Sequence, residues 1–380
     1  MLKIGLLTAR GSKFGGGVAT VVQSLAMSLK KSKIVEPVVF TLADELIEEE
    51  RKNYQDVELV VCPQFGPHSF GYSPSMSSEI AARNIDILHL HGIWMHTSLV
   101  GYRWATKTGK PYIISPHGML DPWIRQHGRM KKVFAENVYE RGNHARADLL
   151  QALTVAEQKD ILSFLPAANV EVIPNGVHLG SDILGRSDRN FDTPYILYLG
   201  RLHEKKNLDG LLDAWLQVQD IVRARNVRLV IAGYGDKPYV EKLTARINKI
   251  NADIPVEFVG PVFGNEKDTL LAGAHYLILP SFSEGLPMAI LEAWAQGTPT
   301  IMTDFCNLPQ GFTRGASIRI ETTSTSISEG IISAIEADQL IWEKRSLAAR
   351  TLVTEQFSED AVLNNWLTIY KNLHASRLDI

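Results

Sequence analysis

Short apolar runs rich in β-branched residues alternate along this chain with stretches whose apolar positions recur every three or four residues. In the first half the runs are KIGLLT, EPVVFTL, DILHLH, PYIIS and VEVIP, and VATVVQSLAMSLKK is helical in pattern. Continuous apolar runs mark strands buried on both faces, and helical crossovers between them make those strands parallel. The grammar restarts at PYILYLG and continues through NLDGLLDAWLQVQ, RLVIAG, VEFVG, HYLILP, PMAILEAWAQG and TPTIM. Between the halves, HLGSDILGRSDRNFDTP clusters Gly, Ser and Asp with little periodicity, which places a linker near Gly180 to Thr193. The expected fold is α/β, with a Rossmann-like doubly wound domain over 1–185 and another over 186–359, the two facing an interdomain cleft. Ligands meet such sheets at the carboxyl ends of their strands. From Thr323 onward only helices are expected. The terminal helix carries Val362, Trp366, Ile369, Tyr370 and Leu373 at helical spacing and must bury that face.

Composition narrows the function classes. With 380 residues, 45% of them hydrophobic, two cores can be filled, which excludes a small disulfide- or metal-stapled scaffold. The 39 Lys+Arg and 42 Asp+Glu give a net charge of -3, so no nucleic-acid partner is expected. Cys62 and Cys306 are far apart and outside any Cys-x-x-Cys pair, as expected of two reduced thiols. The apolar run Ile4 to Leu7 is too short for a secretion signal, and no uninterrupted apolar stretch of ~18 residues exists. A cytoplasmic location is the resulting expectation.

Three loops at strand ends carry candidate chemistry. After the first strand come Gly11, Gly15, Gly16 and Gly17 and then a helix starting near Val18: an anion site at the helix start, or simply a glycine hinge. It is not G-x-G-x-x-G and lacks a ribose-binding acid about 20 residues on, which argues against a dinucleotide site and an NAD-linked dehydrogenase. After YILYLG come Arg201, Lys205 and Lys206, with Asn207 expected to cap the following helix. A guanidinium fork and an ammonium suit a diphosphate, while a solvated basic loop is the alternative. In HYLILPSFSEGLPMAILEAWAQGTPTI, Glu284 falls before a helix whose N1 position is assigned to Pro287, and Glu292 follows two turns later. A carboxylate beside helix-terminal amides repels phosphate and suits a hydroxyl-rich sugar; a helix-capping role is the alternative.

Histidines also end strands in the first half. A metal pair is not expected at His89 and His91, whose rings are assigned to opposite sides of their strand. His117, between Pro116 and Gly118 in an irregular loop, is the candidate site histidine. Without Asp-x-Asp, His-Glu-x-x-His or an acidic calcium loop, no metal site is expected. Finally, the segment 123–146 sets Arg125, Arg129, Lys131, Lys132, Arg141 and Arg146 against Glu136 and Glu140. Trp123, Ile124, Val133, Phe134 and Val138 are interleaved, the composition either of a peripheral contact with an anionic membrane or of an ordinary surface helix.

In their order, FGGGVATVV, DILHLHG, ISPHGMLDPW, VIPNGV, YLGRLHEKKNL, LVIAGYG, FVGPV and PSFSEGLPMAILEAWAQGTP resemble the retaining GT-B nucleotide-sugar glycosyltransferases, glycosyltransferase family four. The E-x7-E spacing of Glu284 and Glu292, with Arg201 and Lys206 upstream, is the specific part of the match. Asn207 stands where the family often has glycine, and Val18 follows the opening glycines. The resemblance implies that Arg201 and Lys206 grip the donor diphosphate, that Gly16 and Gly17 close over it, and that Glu292 holds the ribose. It further implies that Glu284 binds hydroxyls of the transferred sugar, aided by the backbone of Gly285, Leu286, Pro287 and Met288. His117 would contact the sugar, the backbone around Val262 would face the base, and the final helix, about 360–380, would cross back to the first domain.

The implied activity is metal-independent and cofactor-free transfer of a hexose, best assigned to UDP-glucose, onto a glycan or lipid-linked acceptor in surface polysaccharide synthesis. The resemblance also implies retention by front-side attack, and no pair of carboxylates here looks placed for double displacement. A nucleotide-sugar epimerase of the same fold and a non-catalytic nucleotide-sugar-binding subunit are the competing readings.

Overall fold

The computed structural model describes residues 1–121, 129–179, 194–250 and 254–377, without the side chains of 129–131. The chain divides into two compact units, Met1–Gly176 with Glu359–Ile380, and Val177–Ser358. The expected linker, near Gly180 to Thr193, lies outside the described residues.

In the first unit the strands are β1 (Leu2–Arg10), β2 (Val35–Leu42), β3 (Glu58–Cys62), β4 (Ile87–His91), β5 (Tyr112–Ser115), β6 (Leu149–Ala152) and β7 (Val170–Val172). They form one sheet in the order β3-β2-β1-β4-β5-β6-β7, and every pair is parallel. Side chains alternate between two cores because successive residues of a strand face opposite ways. Ile4, Leu6, Val39 and Ile113 pack on the side that also holds Val22, Leu25, Val362, Trp366 and Tyr370. Leu7, Val38, Phe40, Leu88 and Ile114 pack on the other side. Both faces are therefore dry, which is why the strands read as unbroken apolar runs. The final helix, Glu359–Ala375, belongs to this unit, and its Trp366 and Tyr370 are fully buried.

The second unit repeats the plan with β8 (Tyr195–Leu199), β9 (Arg228–Ala232), β10 (Val256–Gly260), β11 (Tyr276–Leu279), β12 (Thr300–Thr303) and β13 (Ser317–Ile320). Its order, β10-β9-β8-β11-β12-β13, is again wholly parallel and reverses direction beside the first strand. The GT-B expectation of two Rossmann-like domains is met in each unit. Where the chain enters and leaves this unit, the Val177 N–H donates to the Phe357 carbonyl at 2.8 Å.

Candidate functional site

In the second unit the loops that leave β8 and β9 touch backbone to backbone. The Gly200 N–H donates to Ala232 O at 3.1 Å and the Leu202 N–H to Tyr234 O at 2.7 Å. A Cβ on Gly233, whose φ is +149°, would stand 1.8 Å from the Gly200 carbonyl, so only glycine fits there. Past this contact, a single 3₁₀ turn, Glu204–Lys206, presents the basic residues.

Asn207 then takes a left-handed conformation, φ +56°. Asparagine tolerates that region better than any residue but glycine, which explains the exchange between the two at this position. The expected side-chain cap is not made. The Asn207 amide instead donates to Pro280 O at 3.2 Å and Thr322 O at 2.8 Å, stitching the lysine loop to the segment after β11.

That stitch brings Lys206 onto Glu284. Nζ lies 2.6 Å from both carboxylate oxygens, and Ser281 Oγ donates to Oε1 at 2.6 Å. The Glu284 side chain is 7% exposed and that of Lys206 20%, so the pair is well desolvated and its attraction only partly screened. The main chain around Glu284 is fixed by a donation to Phe305 O at 3.1 Å and by Asn307 Nδ2, 2.7 Å from Glu284 O. The lysine and the glutamate that the sequence argument assigned to diphosphate and to sugar hydroxyls are thus one charge pair.

The other predicted residues of this unit lie apart from that pair in kind. Arg201 is exposed and meets Asp236 Oδ1 at 3.4 Å, leaving its guanidinium open to solvent. Glu292 pairs with Lys267 at 2.7 Å. Pro287 sits at the N-cap rather than the assigned N1, because the helix begins at Met288, with the Ile290 N–H donating to Pro287 O at 3.0 Å. Gly285 is exposed, and a Cβ there would meet nothing within 4 Å, so its open backbone is not imposed by packing. Leu286 and Met288 pack half-buried on the core. Val262 is buried in that core, which leaves only its backbone to face a ligand.

In the first unit the glycine loop is a 3₁₀ turn, Lys13–Gly15, followed by the helix Gly17–Ser32. Ser12 Oγ accepts the Phe14 N–H at 3.2 Å and donates to Asp44 at 2.8 Å. Gly16 has φ +55° and ψ -137°, a conformation reserved for glycine. Added Cβ atoms at Gly16 and Gly17 would meet nothing within 4 Å, whereas one at Gly15 would lie 2.6 Å from Arg10 O. Packing therefore demands Gly15, while Gly16 and Gly17 leave an open surface.

The histidines of this unit form one array. The rings of His89 and His91 do not diverge: residues two apart in a strand share a face, and their centroids lie 4.1 Å apart. His91 Nδ1 lies 3.0 Å from His117 Nε2, with the rings stacked at 5.3 Å. His117 has φ +52° and Gly118 φ +78°, and this strained turn is clamped by buried Glu157, which accepts from the Gly118 N–H at 2.7 Å and the Leu153 N–H at 2.8 Å. Burial holds His89 and His91 well below the usual histidine range and lowers His117 to about 4, so all three rings are neutral near pH 7.

A second strained residue, Trp94 with φ +76°, follows β4. Its N–H donates to Glu140 Oε1 at 2.6 Å and its carbonyl accepts from Tyr139 at 2.9 Å, both from a π turn, Glu136–Glu140. Glu140 thus points inward, fully buried, while Val133, Phe134 and Val138 are exposed. Residues 122–128 of the basic segment lie outside the described residues. Glu157, Glu140, Ser281 and Asn307 are site-shaping residues that the sequence reading missed, since isolated polar residues inside helices and loops carry no periodic signal. His91 did carry one, the two-residue spacing from His89. Among the described residues, no group of three or more His, Cys, Asp or Glu could hold a metal ion, and no helix is long and apolar enough to cross a membrane.

Residues 15–181 match the family described as Glycosyltransferase Family 4, and residues 183–348 match Glycosyl transferases group 1. An uncharacterized glycosyltransferase from Methanocaldococcus jannaschii is 28% identical over 316 residues, covering 76% of each chain. The alpha-monoglucosyldiacylglycerol synthase of Streptococcus pneumoniae is 24% identical over 79% of this chain and 70% of its own. The crystal structure of Anabaena HepE in complex with UDP and glucose matches with a TM-score of 0.73 at 17% identity, over 98% of this chain and 100% of that one, a likeness of fold.

Proposed function

The chain belongs to the group 1, family 4 glycosyltransferases of GT-B fold, and from that premise we propose that it moves a hexose from a nucleoside diphosphate sugar, UDP-glucose, onto a glycan or lipid-linked acceptor with retention of configuration. The observation that carries the reading is the Lys206–Glu284 pair beside the open backbone of Gly285.

When a donor binds, the Lys206 ammonium can turn from Glu284 toward the departing diphosphate, and the freed Glu284 carboxylate can accept sugar hydroxyls. Arg201, exposed and weakly paired, adds its fork to the same anion. Negative charge grows on the leaving diphosphate in the transition state, so these cations act where charge develops and supply most of the catalysis. The diphosphate oxygen takes the acceptor proton as the sugar–phosphate bond breaks and the new glycosidic bond forms on the same face. Neither a metal nor another cofactor takes part in this scheme. Glu292 holds the ribose, the backbone at Val262 and Leu286 to Met288 borders the nucleotide sugar, and Gly16, Gly17 and His117 contact the donor.

The acceptor is assigned to surface-glycan synthesis. Exposed Val133, Phe134 and Val138 near Lys132 favour a lipid-linked acceptor reached at an anionic membrane. Charge reversal at Lys131 and Lys132 should then abolish co-sedimentation with anionic vesicles, and unchanged sedimentation would sink that part. The donor is tested by hydrolysis across a panel of nucleotide sugars: UDP-glucose should be consumed fastest, and no turnover of any donor would leave the chain a binding subunit. Free epimerised nucleotide sugar would instead mark an epimerase.

A further inference from the structure

Starting from the final helix, the hydrogen bonds of the first unit run in one forced direction. The Ile173 carbonyl can only accept, so the contact at 2.6 Å is a donation from the Gln151 amide nitrogen, and Gln151 Oε1 must face Ser115. Ser115 spends its only hydroxyl proton on that oxygen. It can then only accept from His89 Nε2, 2.6 Å away, so His89 carries its proton on Nε2. Its bare Nδ1 accepts from the Tyr370 hydroxyl at 2.8 Å.

His91 lies next to this chain and outside it. One of its nitrogens meets His117, but its Nε2, in a side chain only 2% exposed, has no hydrogen-bond partner. Asn175 Oδ1 is likewise buried and unpartnered. Both residues line a cavity of about 30 Å³ together with Ser24, Gln151, Glu359 and Trp366. That volume admits one water molecule. The Ser24 hydroxyl is already committed to Glu359, at 2.5 Å. Asn175 Oδ1 and the Glu359 carboxylate on this cavity are both acceptors, and a water that gives its two protons to them has none left for His91, whose Nε2 must then be the donor.

We propose that His91 presents its Nε2–H to this cavity, through one water to Asn175, and its bare Nδ1 to His117, which fixes His117 as the Nε2–H tautomer. His91 is then a positioning residue. The remaining nitrogen of His117, Nδ1, is left a pure acceptor, which selects a sugar hydroxyl as a hydrogen-bond donor and bars His117 from protonating the leaving group at neutral pH. The hydroxyl contact rests on the donor reading given above; the tautomer does not.

Long-range ¹H–¹⁵N spectra of the full chain labelled at its 11 histidines read the tautomers directly. The wild type should show His91 and His117 each protonated at Nε2. His91→Phe should turn His117 into a tautomer mixture and lower kcat/KM for UDP-glucose about tenfold, the loss of one oriented hydrogen bond. His91→Asn, which keeps an acceptor near the Nδ1 position, should restore the single tautomer and most of the activity. A proton on His117 Nδ1 in the wild type, or an unchanged His117 tautomer in folded His91→Phe, overturns the proposal. Should His91→Phe fail to fold, the wild-type spectrum decides alone. Histidine signals that ignore saturating UDP-glucose would overturn the donor contact while leaving the tautomer assignment standing.

Discussion

The two units share a topology and use it oppositely at the carboxyl ends of their central strands. In the first, the polar groups at the end of β4 and just after β5 are neutral histidines, tied to one another, to Ser115 and to Tyr370. In the second, the groups after β8 and β11 are full charges, Arg201, Lys206 and Glu284, held by short loops and open enough to exchange partners. A neutral array in a dry site is cheap to bury only when every proton has an assigned acceptor, and so it is rigid. A charged pair at a partly wet site can be separated by a competing anion. The difference teaches that one scaffold can carry a fixed neutral array in one half and separable charges in the other.

The contrast breaks first at Lys206. Lys206→Ala should depress turnover by more than tenfold with the fold retained, because the leaving group loses its cation; near wild-type transfer by an intact variant discards the charge role. An acid titration probes the other half. The unfolded chain protonates its histidines near pH 6.5, while burial keeps His89, His91 and His117 neutral, along with His144 at about 4. The unfolded state therefore binds more protons as pH falls from 6.5 toward about 4, and stability should drop through that window by about 1 kcal/mol per fully buried histidine at pH 5.5. Glu140 and Glu157, which burial raises, take up protons in the folded state before the unfolded one and so oppose the loss. Thermal unfolding at pH 7 and 5.5 checks the sign; equal stability at both would show that the array titrates freely.

Tyr370→Phe removes one buried donor and leaves His89 Nδ1 unsatisfied, for an expected loss of about 1–3 kcal/mol in a denaturant titration, with turnover at saturating donor changed less than in Lys206→Ala. The smallest effect belongs to Lys267→Ala. Its ion pair with Glu292 is partly exposed, so stability should move by under about 1 kcal/mol. If Glu292 holds the ribose, the variant should shift the donor KM and not kcat; an unchanged KM would detach Glu292 from the donor.

Much of the architecture was legible before any coordinates. Runs such as KIGLLT and YILYLG became β1 and β8 because strands covered on both faces need continuous apolar sequence. The segments ELVVC, LLQA and SIRI, strands β3, β6 and β13, escaped the reading; in the last two, Gln151 and Arg319 interrupt the apolar run. In the site, residue types and spacing singled out Arg201, Lys206, Glu284 and Glu292, but the assigned divergence of His89 and His91 was an error of strand periodicity. Asn207 also showed that a good capping residue is not a cap when carbonyls of distant loops compete for its amide.

Sequence alone determined most of the alternation of strands and helices, the two-unit plan and the inventory of charges near strand ends, because each depends on short-range periodicity and composition. Only the tertiary structure decided that Lys206 and Glu284 are partners, that Glu140 and Glu157 clamp strained loops from within the core, and which nitrogen of His89 bears its proton. Those facts join residues 78, 46, 39 and 281 positions apart, and no local pattern encodes the direction of a hydrogen bond between groups that meet only when the sheet is assembled.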